Sequence, residues 1–557
     1  MQFRFTIFSL LLTACCAAFA SEAPNVVIIL ADDLGYGDVG ANNPDSKIPT
    51  PAMDRVAAEG MRFTDGHSPS AVCTPTRYAL LTGRYCWRTR LKRGVLWGID
   101  PSLIDPKRST IASVLQRKGY RTACVGKWHL GIDFRDKNGK LLKNQPHYQK
   151  KPDSVPIDYS KPVGNSPLAY GFDESLIITG SLNMYPYAYI DGDRFTQAAT
   201  EFKPRTPHNI TIISGGPKAP DFEFETVIDT FNKRAVKFIR DSSEAEKPFF
   251  LYFPLTSPHK PVVPSDKFKG KSDYGIYGDF VMETDDAVGQ ILKVLDETKQ
   301  AENTIVVVTS DNGSFMFRID EGKPDHIDDF RAVGYHPNNH QSNSIWRGTK
   351  ADIYEGGHRV PLLVRWPASI KAGSVSDHTT TLTDWYATIA ELVDYLLADN
   401  EGEDSFSLMP VLKGHSEWQR APVIHHSING MFAIRDGKWK LIAGNGSGGR
   451  QAPRGKPFER PYQLYDLAAD PSETKNLIST HPQLAEALEK KLDDIRTWQT
   501  RRYGTQWLAL LERFASKRPA ASPSDGGAPP AKRRRRRRRR DRRWARASTW
   551  MRDRPTR

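Results

Sequence analysis

The chain enters its first regular element as Asn25-Val26-Val27-Ile28-Ile29-Leu30 and leaves it as Ala31-Asp32-Asp33. A run this apolar and β-branched has no polar face to turn to water, so it reads as a strand buried on both sides. Thr304-Ile-Val-Val-Val-Thr309 and Pro248-Phe-Phe-Leu-Tyr-Phe253 repeat the form, and Thr122-Ala-Cys-Val-Gly126 is a shorter version. Helical patterns lie between them. Pro51 to Gly60 opens with proline after Thr50 and closes on glycine, Ser109 to Gly119 is bounded by serine and glycine, and Thr284 to Lys299 is a longer amphipathic stretch. Buried strands alternating with helices predict an α/β fold, with a large, mostly parallel mixed sheet flanked by helices.

Near Ala398 the character changes. Met431 to Ile442 reads as a hairpin with Asp436-Gly437 at its turn, Gly444 to Lys456 is a glycine-rich loop, and Tyr462 to Leu467 is another strand. A helix is expected from Pro482 to about Arg501. This predicts a smaller C-terminal antiparallel sheet with a closing helix. At 557 residues the chain is too long for one ordinary core. The expected organisation is a leader over 1–20, a main domain over 21–398, a subdomain over 399–514 and a disordered tail over 515–557.

The net charge of +14 suggests a polyanion binder until it is located. From Lys517 to the C-terminus there are 17 Lys and Arg against 3 Asp and Glu, a surplus equal to that of the whole chain. The body is therefore neutral, and no specific nucleic-acid partner is expected. The tail, with eight consecutive arginines, reads as solvated and disordered, with anchoring to acidic polymers as its functional alternative. Arg4, the apolar Thr6–Thr13 and the small residues Ala18-Phe19-Ala20 form an export signal, which implies a periplasmic or secreted protein. Leu12-Thr13-Ala14-Cys15 offers the alternative of lipoprotein anchoring through Cys15. No apolar stretch is long enough to span a bilayer. Without the leader only Cys73, Cys86 and Cys124 remain, which is no disulfide framework; a single Cys86–Cys124 bridge is the most the count allows.

In an open α/β sheet, ligands collect beyond the carboxyl ends of the strands. The buried runs here lead to Asp32-Asp33, Asp311-Asn312, Lys127 with His129, and His259, which describes one site. Asp32, Asp33 and Asp311 are hard oxygen donors suited to Ca²⁺ or Mg²⁺ rather than zinc. Three carboxylates without a cation would repel one another and rise in pKa, so their assembly implies a divalent ion. Arg77, Lys127, His129, His259 and Lys350 add cationic or potentially cationic donors, a set suited to a small anion and to negative charge growing on a leaving oxygen. Taken alone, Cys73 reads either as a small buried hydrophobe or as a thiolate nucleophile lacking its partner.

Cys73 stands in Ser70-Ala-Val-Cys73-Thr-Pro75-Thr-Arg77-Tyr-Ala-Leu-Leu-Thr82-Gly83-Arg84. With Ala31-Asp32-Asp33-Leu-Gly-Tyr-Gly-Asp38, Gly126-Lys127-Trp-His129-Leu-Gly, Ser257-Pro-His259, Ser310-Asp311-Asn312-Gly and Lys350-Ala-Asp-Ile-Tyr-Glu-Gly-Gly357, the chain resembles the type I sulfatases, the arylsulfatase A-like branch of the alkaline phosphatase superfamily. The match spans Pro24 to about Ala398, and Tyr462–Leu477 resembles the family's C-terminal subdomain. Thr76 departs from the Ser or Ala commoner there, at a variable position.

The resemblance implies an alkaline phosphatase-like fold and a sulfuric ester hydrolase. It implies that Cys73 is oxidised to formylglycine by a formylglycine-generating enzyme. Asp32, Asp33, Asp311, Asn312 and residue 73 would ligate Ca²⁺. Arg77 would hold the hydrated aldehyde, with Lys127 nearby; Lys127, His259 and Lys350 would contact the sulfate, and His129 would assist a hydroxyl of the hydrate. One hydroxyl of that hydrate attacks sulfur, and loss of a proton from the other lets the adduct collapse and expel sulfate, an exit that serine lacks. The implied substrate is an aryl sulfate or a sulfated carbohydrate. A phosphate or phosphonate ester hydrolase with the same nucleophile, and a glycan-binding protein with an unoxidised Cys73, are the competing readings. The pocket walls are expected from Asp133–Arg240, including Tyr185-Pro-Tyr-Ala-Tyr189, from Trp97 and from the His336–Trp346 loop. Truncation after Phe514 leaves turnover of a small aryl sulfate unchanged if the tail has no catalytic part; an assay of the shortened enzyme showing a large loss would refute this.

Overall fold

The computed structural model describes residues 23–143, 151–206, 210–316 and 340–497; the leader, the tail and part of the His336–Trp346 loop fall outside them. Strand β1 (Asn25–Asp32) is buried at every position. The same large sheet contains β2 (Met61–Phe63), β3 (Arg121–Lys127), β4 (Glu174–Ile178), β5 (Ile190–Asp191) and β6 (Arg194–Phe195). It is completed by β7 (Phe249–Pro258), β8 (Thr304–Ser310), β9 (Leu362–Arg365) and β10 (Ser374–Ser376), in the order β10-β2-β9-β8-β1-β7-β3-β4-β5-β6. The centre is parallel: β1 lies between β8 and β7 with Val26 opposite Ile305 and Phe250, and β3 and β4 continue the direction. β9 is antiparallel to β8 and to β2, so the sheet is mixed, as expected.

Helix α1 (Pro51–Ala58) packs with α4 (Val227–Glu244) and α5 (Gly275–Glu297) as one group, while α2 (Cys73–Thr82), α3 (Ile111–Arg117) and α6 (Trp385–Leu392) form another. Their starts are more particular than the sequence suggested. Thr110, not Ser109, caps α3, its hydroxyl accepting the Ser113 amide at 3.1 Å. At α1 the cap comes from far away, because Asp285 accepts the amides of Ala52 and Met53 at 3.0 and 2.8 Å. Helix α5 begins at Gly275, well before Thr284, since Tyr277, Phe280 and Val281 bury an additional apolar turn.

The smaller sheet is antiparallel, with β11 (Val423–His426), β12 (Phe432–Asp436), β13 (Trp439–Ile442) and β14 (Gln463–Asp466), and α7 (Pro482–Thr497) packs on it. Asp436 pairs with Trp439, so the turn residues are Gly437-Lys438, one position later than expected, with Gly437 taking the left-handed conformation at φ +57°. The small sheet shares its apolar core with Tyr85 and Trp87 from the segment after α2. The buried Lys440 reaches Glu355 at 3.0 Å and Glu473 at 2.9 Å. Cys86 and Cys124 are both buried free thiols, so no bridge joins them.

Three imidazoles stack where the sheets meet. The ring of His425 lies 4.9 Å from that of His67 and 4.4 Å from that of His358, nearly parallel to both, and all three are buried. Glu355, Asp65, Lys440, Arg359 and Arg435 surround them. Burial lowers the pKa of each histidine; at His358 the Lys440 charge adds to it, and at His67 the Glu355 and Asp65 carboxylates only partly offset it. All three are thus neutral in the fold, and below pH ~6.5 the unfolded chain binds the extra protons. Their contribution to stability is complete above that pH and declines as pH falls toward the folded values. Between neutrality and pH ~5.5 each histidine therefore lowers the unfolding free energy as the unfolded chain takes up its proton. Urea denaturation across this range should show the decline, and His425→Phe, which keeps a stacked ring, should flatten it by about one histidine's share. A profile level from neutrality to pH ~5.5 would contradict the assignment.

Candidate active site

The carboxyl edge of the large sheet brings the polar residues together. β1 ends in Asp32 and Asp33; Asp33 sits at φ +66°, a left-handed bend that turns the chain across the edge, where the Leu34 amide donates to Ser310 Oγ at 2.9 Å. β8 runs into Asp311-Asn312, β7 into His259, and β3 ends in Lys127 with His129 two residues beyond. Gly126 has φ +133°, and a Cβ there would lie 2.0 Å from the Pro254 carbonyl oxygen, so only glycine lets β3 approach β7 this closely. Cys73 opens α2 and Arg77 follows one turn later on the same buried helix. Lys350 arrives from the loop before the short helical turn Glu355–His358.

These residues are joined by buried contacts. Arg77 donates from Nε and Nη2 to Asp311 Oδ2 at 2.9 and 2.6 Å, and from Nη1 to the Lys127 carbonyl at 2.8 Å. Lys127 Nζ meets Asp32 Oδ2 at 2.5 Å. Lys350 Nζ lies 2.6 Å from Asp33 Oδ1 and 3.4 Å from Cys73 Sγ, tying a carboxylate to the sulfur. His259 Nε2 is 3.6 Å from Asp33 Oδ2, and Asn312 donates to Asp33 Oδ1 at 2.6 Å. Nine of the ten site residues expected from the sequence therefore form one connected cluster. The tenth, His129, is fully buried and bonds to the Leu96 carbonyl at 2.7 Å.

Electrostatics correct one part of the sequence argument. The three carboxylates do not stand together uncompensated, because Arg77, Lys127 and Lys350 pair with them. Asp33 consequently lies below the usual carboxylate range: burial pushes it up, but Lys350 and His259 outweigh burial. Asp311 is raised, by burial first and then by the charge of Asp32. Repulsion alone therefore does not require a metal. The stronger argument is hydrogen bonding. Asp32 Oδ1, Asp33 Oδ2 and Asn312 Oδ1 are buried oxygens without a hydrogen-bond donor among the described residues. Such oxygens are costly unless something satisfies them, and a hard divalent cation does so. Ligand atoms of Asp32, Asp33, Cys73 and His259 also lie within 4.8 Å of one another. The residues fit a resident metal ion.

Burial pushes the Cys73 thiol up to about 11 despite Lys127 and Lys350, so an ordinary thiolate is scarce at neutral pH. His129 and His259 are held well below the ordinary histidine range by burial, with Lys127 and Arg77 adding to it at the first and Lys350 at the second. Both are neutral. A carbonyl only accepts, so His129 carries its proton on Nε2 toward Leu96, leaving Nδ1 as a buried acceptor with no partner among the described residues. His259 likewise gives its Nδ1 proton to the Lys260 carbonyl, leaving Nε2 toward Asp33.

The expected walls divide. Tyr185, Tyr187 and Tyr189 are buried, and Tyr187 and Tyr189 pack against Phe222, Phe224 and Phe231. Within Asp133–Arg240, β4 to β6 extend the large sheet itself. The expected site set leaves out a supporting network at Asp38, which accepts from Tyr277 at 2.6 Å and contacts His340 at 2.8 Å. Asp38 belongs to the Asp32–Asp38 motif, so its recurrence there was the available signal.

Comparison with known proteins agrees with this geometry. The sulfatase family model matches residues 24–395, and a model for the C-terminal part of N-sulphoglucosamine sulphohydrolase matches 348–498. The chain is 33% identical to N-acetylgalactosamine-6-O-sulfatase of Bacteroides thetaiotaomicron, over 86% of this chain and 94% of that one. It is 30% identical to human arylsulfatase A, over 86% and 89%. A solved structure from a glycosaminoglycan-metabolism locus of Bacteroides thetaiotaomicron superposes with TM-score 0.74 at 29% identity, covering 86% of this chain and all of that one. Phosphonate monoester hydrolase of Agrobacterium radiobacter shares the fold at TM-score 0.51 and 18% identity, over 85% and 95% of the two chains. The chain belongs to the sulfatase family, whose members use a metal ion and formylglycine, and it is a sulfuric ester hydrolase.

Proposed function

We propose that this enzyme removes sulfate from a sulfated carbohydrate, with Cys73 as the formylglycine precursor and Ca²⁺ held by Asp32, Asp33, Asp311, Asn312 and residue 73. The observation that carries the reading is Lys350 Nζ, set between Asp33 Oδ1 and Cys73 Sγ beside three oxygens that lack donors. The carbohydrate follows from the relatives, two of which are named for N-acetylgalactosamine 6-sulfate and for the metabolism of glycosaminoglycans.

In this reading the cation and the hydrated aldehyde together supply charge neutralisation and a hydroxyl nucleophile. The chain's own residues do the rest. Three carboxylates and three basic side chains cancel within the cluster, so a divalent ion gives it the surplus positive charge that attracts a sulfate anion. Lys127 and Lys350 donate to the sulfate oxygens and stabilise charge on them. His259 faces the site with its Nε2 lone pair, so it acts as a donor to the sulfate only after taking up a proton there, and His129 Nδ1 can take a hydroxyl proton. Arg77 is fully engaged by Asp311 and the Lys127 carbonyl, so its first task is to hold both of these in place beneath residue 73.

Export through the 1–20 leader, maturation by a formylglycine-generating enzyme, and a catalytic domain over 21–398 followed by a subdomain over 399–514 complete the proposal. No helix among the described residues is long and apolar enough to cross a membrane.

Peptide mass spectrometry tests the central point, since conversion of the Cys73 thiol to an aldehyde lowers the mass. An intact thiol in active enzyme from the native host would refute it. Cys73→Ala should abolish aryl sulfate turnover with an unchanged melting temperature, and wild-type enzyme should prefer aryl sulfate to aryl phosphate. Arg77→Met leaves Asp311 buried without its partner and should cost roughly 3–5 kcal/mol of stability in chemical denaturation. A loss below about 1 kcal/mol would show that Arg77 is not the structural anchor of the cluster.

A further inference from the structure

A second concave surface lies beside the catalytic cluster, and nothing in the reaction described so far uses it. It is a cleft of about 1010 Å³ between the segment after α2 and the small sheet. Its chemistry is one-sided: five of its lining residues are Lys or Arg, and none is acidic. Arg84 and Arg88 are balanced by Glu403 and Asp404 behind them, and Arg496 by Asp493. Lys92 and Arg93 are exposed and have no acidic partner among the described residues, so they leave uncompensated positive charge in the cleft.

The apolar part of the cleft is equally particular. Phe458 is 41% exposed and stands at φ +60°, a backbone conformation unfavourable for a residue with a side chain. The Arg496 guanidinium lies 4.3 Å from the Phe458 ring and 4.8 Å from the Phe432 ring, so it rests against both, while its Nη1 donates to Asp493. Trp87 stacks edge-on to Phe432 in the same wall, and its indole N–H is buried with no acceptor among the described residues. An exposed ring at Phe458 beside exposed, carboxylate-free Lys92 and Arg93 is what an anionic sugar requires, since its apolar ring face and its carboxylate or sulfate must both be met.

The cleft is connected to the reaction centre by the chain itself. From Arg93 the backbone passes Gly94, whose amide donates to Ile428 O at 2.8 Å, and reaches Leu96. The Leu96 amide bonds Thr74 Oγ1 at 3.2 Å, next to Cys73, and its carbonyl holds His129. Arg93 and Leu96 are at most about 11 Å apart and Leu96 touches the residue next to Cys73, so the cleft lies within the length of a short oligosaccharide from Cys73.

We propose that this cleft binds a second anionic sugar of the substrate chain, so that the enzyme selects acidic oligosaccharides over isolated sulfate esters. The inference rests on the proposed carbohydrate-sulfate hydrolysis and goes beyond it to a separate set of residues.

The test compares a hexasaccharide of alternating hexuronic acid and 6-sulfated N-acetylgalactosamine, its carboxyl-reduced counterpart and a small aryl sulfate. In Lys92→Ala/Arg93→Ala, the ratio of kcat/KM for the hexasaccharide to that for the aryl sulfate should fall about tenfold or more, chiefly through KM. Arg93→Lys should retain most of it. A ratio that moves less than about twofold, or an equal fall with the carboxyl-reduced sugar, overturns the proposal. Calorimetry of the unsulfated hexuronate hexasaccharide on Cys73→Ala protein, with and without the double substitution, reads the cleft without turnover. Charge-dependent binding there, beside wild-type enzyme inactive on every carbohydrate sulfate, would refute the hydrolysis reading and leave the cleft standing. Full hydrolysis with no charge-dependent binding would remove the cleft alone.

Discussion

Everything at the reaction centre depends on compensating three carboxylates in a dry interior. Asp32, Asp33 and Asp311 are almost completely buried, and an isolated buried carboxylate would neutralise rather than remain charged. The forked contact of Arg77 with Asp311 is the most constrained of the three pairings, because both partners are fully inaccessible and the third nitrogen is fixed by the Lys127 carbonyl. That fork links α2, which carries Cys73, to the ends of β3 and β8. Position, charge state and orientation are thus set by one interaction. A buried ion pair contributes little net stability against an apolar alternative, so its retention here is better understood as placement than as reinforcement.

The placement works because the sheet delivers its strand ends to a common edge. Asp32-Asp33, Asp311-Asn312, His259 and Lys127 were legible in the sequence for a physical reason: each interrupts an apolar run where a buried strand must end. Residues outside strands carry no such mark. Arg77 lies on a helix and Lys350 on a loop, and only the motifs around them pointed to the site. His129 was legible as part of the Gly126–Gly131 segment, but its tautomer depends on Leu96, a backbone carbonyl that no side-chain pattern can announce.

Other differences share a cause: long-range contacts override local pattern. The Tyr185–Tyr189 segment was expected as a pocket wall, and its Tyr187 and Tyr189 pack against Phe222, Phe224 and Phe231, all distant in sequence. α1 takes its cap from Asp285, more than two hundred positions away, and α5 gains its early turns by burying Tyr277 and Phe280 against the body. The small sheet was recognisable from its hairpin, but its dependence on Tyr85, Trp87 and the histidine stack was not. Its role is to complete the surroundings of the site, since Ala351, directly after Lys350, receives the amide of Ile428.

Cys73 is 2% exposed, at the start of a helix in which every residue is buried. The residue that covers its sulfur, Lys350, lies 277 positions further along the chain. At a synthesis rate of about 5–20 residues per second, that interval corresponds to roughly 15–55 s during which position 73 exists and its cover does not. In the proposed maturation, the formylglycine-generating enzyme has this interval and the subsequent folding time in which to reach the backbone around Cys73. On that reading the fold acts as a deadline: competence is decided by a race between oxidation and closure, and a chain that closes first is folded but lacks its nucleophile.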